Sequence, residues 1–122
     1  MEHLISFFEI PAADFSRAVS FYGSVLETSL SVMESEEERM AFFSSGAGET
    51  VGAISQAAGF HPAADGILLH LRVADMDQTL RRVLACGGEV IRAKTAINCD
   101  QMGFFALFKD SEGNRVGLHS QK

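Results

Sequence analysis

A chain of 122 residues with 47% hydrophobic and 21% charged residues has the composition of one globular domain with a single core. Its net charge of -6 disfavours nucleic acid and anionic membrane as partners. No apolar run approaches the roughly 20 residues of a membrane span, and no secretory leader is recognisable at the start. Two cysteines, Cys86 and Cys99, make neither a disulfide framework nor a CxxC pair, which points to the cytoplasm. Ten phenylalanines and no tryptophan make aromatic packing a main source of core stability.

In chain order, alternation predicts a strand from Leu4 to Ile10, with Leu4, Phe8 and Ile10 on one face and Ile5 and Phe7 on the other. Asp14 is placed to cap a helix whose buried stripe is Phe15, Ala18, Val19, Tyr22, Val25 and Leu26. Tyr22, the one tyrosine, lies on that stripe and reads as core. A strand from Thr28 to Met33 precedes the acidic run Glu34 to Arg39, read as a solvated turn. Two further strands, Met40 to Ser45 and Thr50 to Ser55, pair across a glycine-rich turn.

The linker QAAGFHPAAD (Gln56 to Asp65), with a Phe60–Pro62 lip, then leads to a second copy of the same order. Its elements are a strand from Ile67 to Val73 and a helix from Met76 to Cys86. Asp75 and Gln78 form a capping box, and Gly87-Gly88 stops the helix. Strands follow at Glu89 to Arg92, Gly103 to Phe108 and Arg115 to His119. Phe104, Phe105, Leu107 and Phe108 are apolar on both faces of their strand, as in a strand covered on both sides.

The duplication is visible in GETVGAIS (Gly48–Ser55) against GNRVGLHS (Gly113–Ser120), and in MAFF at Met40 against MGFF at Met102. This alignment equates Gly52 with Gly117 and Ile54 with His119. Each half is β-α-β-β-β, giving an α+β fold of two βαβββ modules, residues 1–56 and 66–122 about a 57–65 linker. Two such half-sheets joined edge to edge would curve into a ligand-sized trough.

This ordering, with FFEIPAADFSRAVSFYGSVL, VADMDQTLRRVLACGGEVIRAKTAI and GFFALFKDSEGNRVGLHS, resembles the vicinal oxygen chelate superfamily of glyoxalase, bleomycin-resistance and dioxygenase-like proteins. The likeness is greatest to a bacterial glyoxalase-like (lactoylglutathione-lyase-related) branch. It implies a homodimer and, in metal-dependent members, His or Glu ligands from the first and last strand of each module. The four slots fall on Ile5, Gly52, Leu68 and Gly117, none a metal ligand, so no cofactor is favoured. A displaced cluster of His3, His70 and His119, one pleat away, is the remaining route to a divalent metal.

The groove expected from alternation is lined by Ile5, Phe7, Glu9, Leu68, His70, Arg72, Phe104, Arg115, Gly117 and His119. Arg72 or Arg115 would anchor a carboxylate or phosphate, while Glu9 either pairs with an arginine or, like His119, takes a catalytic part. Cys99 reads as an inert loop thiol. The favoured function is metal-free binding of a small organic molecule. The alternatives are a metal-dependent lyase, isomerase or dioxygenase, and a partner subunit with a vestigial groove.

Overall fold

The computed structural model describes residues 4–98 and 101–122. Its first module comprises β1 (Phe8–Pro11), α1 (Phe15–Val25), β2 (Ser31–Glu34), β3 (Glu38–Ser44) and β4 (Thr50–Ala57). The second comprises β5 (His70–Arg72), α2 (Met76–Ala85), β6 (Glu89–Ala96), β7 (Phe104–Lys109) and β8 (Arg115–Ser120). The element order is the expected β-α-β-β-β, twice. Each module folds into its own four-stranded mixed sheet, ordered β1-β4-β3-β2 and β5-β8-β7-β6. The first strand runs parallel to the last in both. Among the described residues no ladder joins the two sheets, so β1 and β5 lie at their edges, and the groove faces belong to separate sheets. Among the described residues, no helix is long and apolar enough to cross a membrane.

Both first strands are shorter than alternation predicts: Leu4–Phe7 and Ile67–Leu69 lie outside them. The helix boundaries follow their caps. Asp14 accepts from the Arg17 N–H at 3.1 Å, and Asp75 from the Gln78 N–H at 3.0 Å. The second half of the capping box is absent, because the Gln78 side chain turns instead toward Arg82.

The core sits where α1 is packed between the sheets. The Tyr22 ring meets Phe43 of the first sheet edge-on at 5.8 Å and Phe108 of the second at 6.4 Å. Phe21, absent from the expected stripe, reaches Phe108 at 6.2 Å. Tyr22, Ile54, Phe108 and Leu118 are fully enclosed, each such apolar side chain contributing about 1.5–3 kcal/mol.

The β7–β8 turn ties this packing down. Asp110 accepts the Glu112 and Asn114 backbone N–H groups at Oδ1, both at 2.9 Å. At Oδ2 it accepts the buried Tyr22 hydroxyl at 2.6 Å and the Asn114 amide at 3.0 Å. Gly113, with φ +94°, supplies the left-handed step that closes the turn. Asn114 in turn donates to the Pro11 carbonyl at 2.8 Å and accepts the Ala63 N–H at 3.0 Å. Glu112, whose side chain has no exposed surface, accepts the Ala13 and Asp14 N–H groups and pairs with Arg17 at 2.7 Å. One turn thus holds the end of β1, the start of α1 and the linker.

Burial, then the Asp110 charge and hydrogen bond, push the Tyr22 hydroxyl well above its ordinary pKa, so it stays a neutral donor. For Glu112, burial pushes the carboxyl up. Hydrogen bonds from Arg17, the Asp14 backbone and Ser111, with the Arg17 charge, outweigh it and leave the pKa lowered. A depressed carboxyl adds stability above its unfolded pKa and loses it as pH falls through the folded value. Glu112→Gln is therefore expected to cost about 1–3 kcal/mol at neutral pH, with the variant and parent converging in acid urea melts. Tyr22→Phe is expected to cost ~1.5–3 kcal/mol and Asp110→Ala more, since the latter strands four donors. Equal effects in denaturant titration would contradict this hierarchy.

Candidate functional site

The alignment of the two halves by identity is displaced by one residue along the last strand. The turns do correspond: Ser45 and Gly48 make the same hydrogen bonds as Asp110 and Gly113. After the turn, β8 pairs without interruption, Lys109 with Arg115 and Phe108 with Val116. In β4, Ser44 pairs with Thr50 but Phe43 pairs with Gly52, so Val51 is an extra, bulged residue. From there each β4 residue matches the β8 residue one place earlier than its sequence twin. Ala53 corresponds to Gly117 and Ser55 to His119, as the bonds from Ala12 N–H to Ser55 O and from Val73 N–H to His119 O also show. By the same register Glu9 matches His70, not Arg72, and Ala41-Phe42-Phe43 matches Ala106-Leu107-Phe108.

A one-residue shift changes the face of a strand. Gly52 therefore lies on the helix side, where its missing Cβ makes room for the Phe8 ring. The slots on the groove side become Phe7, Ala53, Leu68 and Gly117, replacing Ile5 and Gly52. None offers a nitrogen, oxygen or sulfur donor, so these residues do not fit a divalent metal. His3 and Cys99 lie outside the described residues. Among those described, no three His, Cys, Asp or Glu residues converge as a metal site.

On the second sheet, the face turned away from α2 carries His70 and Arg72 on β5, Arg115, Gly117 and His119 on β8, and Phe105 on β7. Gly117 is required there: a Cβ would collide with the His70 imidazole, which lies across β8 toward the Phe105 ring, 6.3 Å away. Arg92 of β6 covers the same ring at 5.1 Å. Phe104 faces the opposite way and packs on the core, so Phe105 fills the role assigned to it. His119 sits opposite Phe105 and beside Arg72, with Nε2 2.6 Å from the Met102 carbonyl. Because a carbonyl only accepts, Nε2 carries the proton and donates.

A cavity of about 340 Å³ is lined by Leu68, His70, Ile97, Phe105 and His119. Three of the expected groove residues, Leu68, His70 and His119, thus gather with Gly117 beneath His70, and Arg72 borders the adjoining space. Ile97 and Phe105 are not among the groove residues expected from alternation. Arg115 shares the face but lines none of the cavities described. Glu9 is on the other sheet, where its Oε1 accepts the Ser55 hydroxyl at 2.8 Å, so it neutralises no arginine there. Ile5 and Phe7 stand exposed at 68% and 53% ahead of β1, away from these histidines' cavity.

A larger cavity, about 740 Å³, opens between Phe8, Phe43, Leu71 and α2. Among its polar groups, Asp75 caps α2 and Arg82 bonds the Val25 carbonyl and Glu27, while His70 and Arg72 also reach its lining. Arg72, which lies between this cavity and the groove face, makes no side-chain hydrogen bond or ion pair among the described residues, and the His119 Nδ1 has no partner there.

A domain of a glyoxylase/bleomycin resistance protein/dioxygenase from Frankia superposes with TM-score 0.73 at 13% identity, covering 100% of both chains. A glyoxalase I mutant from Zea mays gives TM-score 0.73 at 17% identity over 94% of this chain, which spans 45% of the maize one. The fosfomycin resistance protein FosX from Mesorhizobium loti gives 0.65 at 17%, covering 98% of this chain and 92% of that one. At these identities the structures speak for the fold. No curated protein sequence matches the chain. A family model matches residues 4–118, and by it the chain belongs to the Glyoxalase/Bleomycin resistance protein/Dioxygenase superfamily.

Proposed function

We propose that this protein binds a small organic anion on the groove face of its second sheet, without a metal at the family's ligand positions. The observation that carries the reading is a cationic, aromatic face on a chain of net charge -6. Arg72, Arg92 and Arg115 share it with His70, His119 and Phe105, and apolar walls lower the local dielectric around them. Arg72, a guanidinium with no partner among the described residues, lines the space adjoining the apolar cavity and is suited to a carboxylate or phosphate. The two imidazoles orient the ligand, and the reading assigns them no bond-making step. The cytoplasm is the compartment that goes with it, on the strength of sparse cysteines.

The partner proposed beside the ligand is a second copy of the chain. It is supported by apolar side chains left in solvent, Leu4 at 80% and Ile67 at 100% exposure, and by the place of β1 and β5 at the edges of their sheets.

Thermal-shift screening with aromatic and aliphatic carboxylates, phosphates and matched neutral compounds tests the binding reading, with stabilisation by anions expected. No stabilisation by any anion counts against it. Gly117→Val is expected to displace the His70 ring and weaken binding at least tenfold, seen as a moved His70 imidazole resonance with the melting curve otherwise kept. Sedimentation at micromolar concentration is expected to give twice the monomer mass; a monomer would remove the second copy from the proposal.

A further inference from the structure

His119 forms a wall of two cavities of opposite character. On one side is the apolar space of about 340 Å³ between Leu68, Ile97 and Phe105. On the other is a space of about 390 Å³ lined by Arg72, Val73, Ala74, His119, Gln121 and Lys122. Its lining includes two cationic residues, Arg72 and Lys122, and no Asp or Glu. Neither cation forms an ion pair among the described residues. The Lys122 backbone is positioned by the Ser120 hydroxyl, which donates to its carbonyl at 2.7 Å.

The wall itself is fixed. The Met102 carbonyl accepts a hydrogen bond from Nε2 of His119, and Gly103 holds the Met102 loop against the end of β8, where any Cβ would strike the Ser120 carbonyl. With Nε2 donating, the neutral imidazole leaves Nδ1 as an acceptor.

Resting on the groove reading, we infer that the two cavities are one bipartite site for an aryl carboxylate. The aryl body lies against Phe105, Leu68 and Ile97, and the carboxylate lies between Arg72 and Lys122. A hydroxyl on the carbon next to the carboxylate donates to Nδ1 of His119 where the halves meet. Each half is near the lower end of the usual ligand-pocket range, so neither the body nor the carboxylate alone fills the site. The apolar half supplies burial and the cationic half selects the charge.

The test is calorimetric titration of the full chain with four probes: naphthylacetate, its α-hydroxy derivative, naphthylacetamide and acetate. Naphthylacetate is expected to bind about tenfold more tightly than the amide, and acetate not measurably. The hydroxy acid is expected to bind more tightly than naphthylacetate, and His119→Phe to abolish that gain. Arg72→Gln, an exposed change, is expected to erase the difference between acid and amide, whereas Phe105→Ala weakens both equally. Acid and amide binding alike, or Arg72→Gln leaving their ratio unchanged, overturns the bipartite site while leaving the groove reading intact. A hydroxy acid no tighter than its parent overturns the role given to His119. Binding by none of the probes, together with no anion stabilisation in the screen, overturns both proposals.

Discussion

The hydrogen bonds at the Asp110 carboxylate are what the rest of the molecule depends on. Among the described residues no ladder holds the two sheets in register, so their relation must come from α1 and the β7–β8 turn. The carboxylate spends one oxygen on the turn's own backbone and the other on Tyr22 and Asn114. Because Tyr22 also touches Phe43 and Phe108, a local turn decides how the first sheet's core meets the second. Burial makes that decision costly to reverse: a carboxylate and a phenol removed from water lose much more when separated than they gain when joined.

Much of this was legible in the sequence. Helix caps, the order of elements and the duplication follow from local chemistry that one residue type at one spacing can announce. The face of β4 was not legible. Val-Gly recurs in both halves, and pairing those dipeptides is the natural alignment, yet the bulge at Val51 makes it false by one position. A bulge costs one residue and leaves no compositional mark, while its effect on a period of two is total. The likeness of MAFF to MGFF misled by three residues: by strand register the counterpart of Ala41-Phe42-Phe43 is Ala106-Leu107-Phe108, which sets one core phenylalanine from each sheet against Tyr22. On β7, apolar residues on both faces gave no means of choosing between Phe104 and Phe105.

The groove candidates divide according to whether alternation had an anchor. On β5 and β8, His70, Arg72 and His119 share a face because Leu71, Val116 and Leu118 are committed to the core side. Ile5 and Phe7 had no such anchor, since the strand begins only at Phe8. Glu9 keeps its face but belongs to the other sheet, where a serine, not an arginine, is within reach. The corrected register alters two of the four metal-ligand slots and still places no donor at any of them, so the mismatch with a metal does not depend on which alignment is used.

The bulge at Val51 also bears on engineering. Transplanting β8 chemistry into β4 by matching letters would put a histidine at Ile54, a fully enclosed position, where an imidazole would meet only core neighbours. Matching by strand partner would put it at Ser55, opposite Pro11 and within reach of Glu9. The two halves of this chain thus share a strand order but not a letter-by-letter alignment, and a chimera assembled from them needs a seam placed before the bulge.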